Sequence, residues 1–150
     1  MGTKFSTRIW VSVVGIASIF FGSKGYADTV ISVADFGLKP DTRENAVAYV
    51  QKAIEACRGK EPVTLVFPEG RYDFWPQYAH EKNYYETNTY DVFPKRLAML
   101  FEGLHNITVD GNGSQFVMHD RIQPITVENC DGVTLKNFSI DWDIPLTAQA

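Results

Sequence analysis

The chain has 150 residues, 45% hydrophobic and 13% aromatic, which excludes a disordered chain and is enough for one domain with a core. Two cysteines exclude a disulfide scaffold and a four-cysteine zinc site, and three separated histidines without an HExxH give no metal signature. Lys4, Arg8 and Lys24 fall in a leader that holds no acid, so residues 28–150 carry 11 bases against 18 acids, a net charge of −7 that argues against nucleic acid as a partner.

Residues 1–27 have the form of a signal peptide. Lys4 and Arg8 make a positive start, Ile9 to Phe21 is a 13-residue apolar stretch, and Gly25 and Ala27 are small residues at the cleavage positions. Thirteen residues at about 1.5 Å each fall short of the roughly 20 that a membrane-spanning helix needs. The expectation is export to the periplasm, the cell surface or the medium, with no transmembrane segment after cleavage.

Val30 to Phe36 reads as a short strand and Gly37 to Asp41 as a turn. Asp41 followed three residues later by Glu44 has the form of a helix-capping box. Val47, Val50, Ile54 and Cys57 then recur at helical spacing until Gly59, which predicts one amphipathic helix. Val63 to Phe67 is an apolar, β-branched run closed by Pro68-Glu69-Gly70, a buried strand with a turn behind it.

A repeat follows. Phe101 to Val109 and Val127 to Leu135 superpose at a constant offset of 26, matching Glu102 with Glu128, Leu104 with Cys130, Ile107 with Val133 and Thr108 with Thr134. A period in the twenties made of short β runs between Asn, Asp and Gly predicts a right-handed parallel β-helix, an all-β solenoid. The helix at 47–57 is expected to cap its open N-terminal end. Only two coils precede Ala150 and about three are needed for stability, so residues 28–150 read as the N-terminal part of a longer catalytic domain whose C-terminal coils are missing. The isolated piece is expected to be inactive.

Arg71 to Leu97 reads as a long excursion, with eight aromatics between Tyr72 and Phe93. Such a segment offers flat faces to the C–H surface of a sugar, and Trp75, stiffened by Pro76, is the preferred stacking residue. Of His80, His105 and His119, only His80 lies in the excursion and is taken as a sugar contact. Phe138 to Asp143 alternates, so Asp141 and Asp143 share a face about 6.7 Å apart while Trp142 points inward. That spacing lies at the edge of the range for an inverting carboxylate pair, but any D-x-D strand gives it, and contact with substrate hydroxyls is the better reading. Cys57 and Cys130 read as core residues with no supported bridge, and Asn106 and Asn137, although in acceptor form, are assigned no glycan.

Asp35-Phe-Gly37, the capped helix and Val63 to Tyr72 resemble the opening of the pectin-lyase-like right-handed β-helix proteins. Phe74 to Tyr90 and Ser139 to Ala150 more particularly resemble the α-galactosidases of glycoside hydrolase family 110. The resemblance implies a glycan partner and exo-hydrolysis of its terminal α-1,3-linked galactose, as on blood group B structures, with inversion and without metal or other cofactor. It also implies catalytic carboxylates beyond Ala150, so none is assigned here, Asp141 and Asp143 being at most weak candidates. Two other readings stand beside it: a β-helix lyase or hydrolase acting on acidic polysaccharide, which the acidic charge disfavours, and a non-enzymatic adhesin, which would not need the aromatic excursion.

Overall fold

The computed structural model describes residues 28–84 and 93–145. The expected leader, and Tyr85 and Tyr90 of the aromatic segment, lie outside them. β1 (Thr29–Ser32) is shorter than its apolar run suggests, because Val33–Phe36 tightens into a 3₁₀ turn. Ser32 Oγ accepts the Ala34 N–H and the Asp35 carboxylate accepts the Ser32 N–H, so the reciprocal cap forms here. It does not form at Asp41 and Glu44. Asp41 instead adopts φ +61 and its carboxylate accepts the Arg71 N–H at 3.0 Å. Helix α1 (Val47–Cys57) starts later, where Asn45 Oδ1 accepts the Val47 N–H at 3.1 Å. Its buried stripe of Val47, Val50, Ala53, Ile54 and Cys57 packs against β1, β2 (Val63–Val66) and β5 (Phe93–Glu102).

The long β6 (His105–Met118) organises the larger, all-parallel sheet. β2 pairs with its first half, with Val63 opposite Ile107, and β3 (Arg71–Phe74) with its second half, with Tyr72 opposite Phe116. A register shift between Asp110 and Ser114 turns the chain between the halves. β1 adds to β2, and β8 (Asp131–Trp142) runs along the other side of β6. The second sheet holds β4 (His80–Tyr84), β5 and β7 (Gln123–Glu128), with β4 antiparallel to β5 and β7 parallel to it.

This arrangement corrects the expected right-handed parallel β-helix with a capping helix. Among the described residues there is no closed solenoid; the class is mostly β, with one parallel sheet, one mixed sheet and one α-helix. The β4–β5 hairpin reverses the chain where a coil would continue parallel, and the helix stripe lies on three strands. The 26-residue offset marks pairing register: Phe101 opposes Val127, and Ile107 opposes Val133. It also sets Glu102 beside Glu128, like charges whose repulsion Lys82 relieves by donating to both, at 2.7 and 2.8 Å.

Core packing is aromatic. The buried Phe116 ring lies 4.8 Å from Phe67, 5.6 Å from Phe74 and 4.8 Å from the stacked ring of Phe138. Tyr72, also buried, satisfies its hydroxyl by donating to the Pro68 carbonyl at 2.7 Å. The start of the expected excursion is therefore a core strand, and its far end, β5 with the buried Leu97, belongs to the second sheet. No helix of the described residues is long and apolar enough to cross a membrane.

Candidate functional site

Alternation on β3 places Arg71 and Asp73 on one face. The ends of β6 and β8 bring His119 and Asp143 alongside, where the His119 N–H donates to the Phe74 carbonyl and the Asp143 N–H to the Met118 carbonyl. Three neighbouring strand ends thus build one polar cluster. Asp73, whose side chain is fully buried, accepts from Arg71 Nη2 at 2.6 Å and Nε at 3.0 Å, and its Oδ1 lies 2.8 Å from His119 Nε2. Burial alone would raise its carboxyl, but the hydrogen bonds from Arg71 and His119 win and hold it below the ordinary carboxylate value. Asp143 closes the cluster from the solvent side, 3.5 Å from Arg71 Nη2 and 3.7 Å from His119 Nδ1.

The indole of Trp75 lies flat on the His119 imidazole, with centroids 3.9 Å apart and planes 5° from parallel. The loop that carries it is pinned from the helix side. Asn45 accepts the Trp75 N–H at 3.2 Å and donates to the Gln77 carbonyl at 2.9 Å, and Gln51 donates to the Tyr78 carbonyl at 2.9 Å. Those bonds hold Tyr78 at φ +66, an uncommon conformation for a bulky residue, with its side chain largely exposed. Beside the loop lies a cleft of about 370 Å³, lined by Trp75, Tyr78, Glu81, Arg96 and Asp120 among others.

The four sequence candidates therefore separate. Trp75 lines the cleft and touches the cluster, and Asp143 belongs to the cluster. Asp141 is exposed and its carboxylate accepts the Trp142 N–H at 2.8 Å. His80 opens β4 opposite Leu97, exposed and outside the cleft lining. Sequence reasoning missed Asn45, Arg71, Asp73, His119 and Asp120. The legible signal was Arg71-Tyr-Asp73-Phe, an alternating run that puts a cation and an acid on one face. Among the described residues no group of three or more His, Cys, Asp or Glu converges as a metal site.

No family model matches the chain. Comparison with curated proteins finds 64% identity over 123 residues to alpha-1,3-galactosidase B of Bacteroides thetaiotaomicron, covering 82% of this chain and 20% of that protein. Alpha-1,3-galactosidase A of Shewanella woodyi is 42% identical over 77% of the chain and 19% of its own length. Alpha-1,3-galactosidase B of Phocaeicola vulgatus is 37% identical over 94% of the chain and 22% of its own length. The chain is thus homologous to bacterial glycoside hydrolases named alpha-1,3-galactosidase, and spans about a fifth of the length of these relatives.

Proposed function

We propose that the protein is an exported exo-α-1,3-galactosidase that removes terminal galactose from glycans of the blood group B type, with inversion. The observation that carries this reading is the 64% identity to a protein named alpha-1,3-galactosidase across 82% of the chain. In inverting hydrolysis water adds to the anomeric carbon as the glycosidic C–O bond breaks. A base carboxylate takes the proton of the water, and an acid protonates the departing oxygen.

In this reading the acid and base stand outside residues 28–145, and the cluster recognises substrate. Asp73, enclosed by Arg71 and His119, serves as the brace. Asp143, with its side chain 45% exposed, accepts a hydrogen bond from a sugar hydroxyl, and Arg71 at 3.5 Å and His119 at 3.7 Å keep it aimed.

Hydrolysis of the methyl β-glycoside of α-1,3-galactobiose, from which only the terminal residue is released as free galactose, by the full-length protein and followed by proton NMR, tests the reading. β-Galactose should appear first and the α anomer only by mutarotation. α-Galactose first would overturn inversion, and no galactose would overturn the activity.

A further inference from the structure

Resting on that galactosidase reading, we infer that the cleft beside Trp75 seats the sugar on the leaving-group side of the scissile bond, the residue to which the terminal galactose is attached. Its chemistry is that of a neutral-sugar site. Trp75 is a half-buried ring with one face already covered by His119, so the indole reaches the cleft in a fixed orientation. Tyr78 adds a second ring at the rim, with 75% of its surface exposed. Aromatic surface of this kind packs on the C–H faces of a pyranose, while Asp120 and the side chains of Glu81 and Arg96 supply hydrogen-bond partners for its hydroxyls. A volume of about 370 Å³ falls within the ~300–1,000 Å³ range of small-molecule sites.

Two features favour the leaving-group side over the terminal galactose. An exo-acting enzyme encloses the terminal ring, whereas the next sugar continues into the rest of the glycan and needs an exit. The cleft has one, since Gln77 and Tyr78 on its lining are exposed. Glu81 is also held by Arg96, with Nε to Oε1 at 3.2 Å, which suits it to hydroxyl recognition better than to proton transfer.

The loop is built in advance. Asn45 ties the backbone of Trp75 and Gln77, and Gln51 ties that of Tyr78, so the rings are positioned before a ligand arrives. Asn45 is accordingly a positioning residue.

The test compares kcat/KM of the full-length protein on α-1,3-galactobiose, whose leaving group is a sugar, with that on p-nitrophenyl α-galactoside, whose leaving group is not. Trp75→Ala and Asp120→Ala should each lower the disaccharide-to-aryl ratio, Trp75→Ala by about tenfold, chiefly through KM. Asn45→Ala should move the ratio in the same direction. A ratio is insensitive to the fraction of folded enzyme, so partial misfolding of a variant does not mimic the effect. An unchanged ratio, with both substrates affected equally or not at all, overturns the assignment while leaving the galactosidase reading intact. Release of galactose from neither substrate by the unaltered protein overturns the galactosidase reading, and this assignment with it.

Discussion

Replacing Asp73 by Asn removes one charge and changes almost no volume, so its cost isolates the electrostatics of the cluster. The carboxylate has no solvent exposure and accepts from Arg71 at 2.6 Å and from the imidazole of His119 at 2.8 Å. Breaking a buried pair by removing one partner costs about 3–5 kcal/mol. Arg71 keeps 23% of its side-chain surface in water and retains Asp143 at 3.5 Å, which places the expected loss near the lower end, about 3 kcal/mol at pH 7. The loss should also depend on pH. The Asp73 carboxyl titrates below its ordinary value in the folded state, so the unfolded chain binds its proton first. The stabilisation is then present above the ordinary carboxylate pKa and disappears as pH falls through the folded one. Urea unfolding of the wild type and Asp73→Asn at pH 7 and pH 3 measures both effects. A difference below about 0.5 kcal/mol at pH 7, within the range of an ordinary surface change, would refute the brace. So would a deficit that does not shrink between pH 7 and pH 3.

Phe116→Ala, which empties the centre of the ring cluster formed with Phe67, Phe74 and Phe138, should cost about 3–5 kcal/mol in the same unfolding assay; a loss under about 1 kcal/mol would mean that the cluster is not the core. At Gly132, with φ +62, an added Cβ would lie 2.5 Å from Asn106 Oδ1, whereas at Gly59, with φ +74, it would meet nothing within 4 Å. Gly132→Ala should therefore destabilise by more than the roughly 1 kcal/mol of backbone strain expected for Gly59→Ala, and equal losses would contradict the close approach of β8 to β6. Burial pushes the Cys57 thiol up to about 11, so iodoacetamide at pH 8 should label Cys57 only after denaturation, as peptide mass spectrometry would read directly; rapid labelling in the native protein would contradict its place in the core.

The local readings that succeeded rest on periodicity, and those that failed needed distant partners. Val47, Val50, Ile54 and Cys57 do form the buried helix stripe, and the apolar run from Val63 does form a core strand. The 26-residue offset is the true register of β7 on β5 and β8 on β6. Register does not specify closure, however, and the reversal at the β4–β5 hairpin carries no signal in a two-unit repeat. The capping-box spacing occurs at Ser32-Asp35 and at Asp41-Glu44 alike. Only the fold decides between them, since the Arg71 N–H draws Asp41 away. Trp75 and Asp143 were visible from aromatic density and strand alternation. Asp73 and His119 were not, because their contact joins residues 46 apart in the chain through the pairing of β3 with β6.

The most direct test of the account is the linkage specificity of the full-length protein on a panel of α-1,3-, α-1,4- and α-1,6-linked galactobiose, the blood group B trisaccharide and polygalacturonate, with released galactose and unsaturated uronate measured in parallel. Galactose is expected from α-1,3-galactobiose and the B trisaccharide, with kcat/KM at least about tenfold above that for the other linkages, equivalent to ~1.4 kcal/mol of transition-state discrimination. Galactose release that ignores linkage, or uronate release without galactose, would contradict the account.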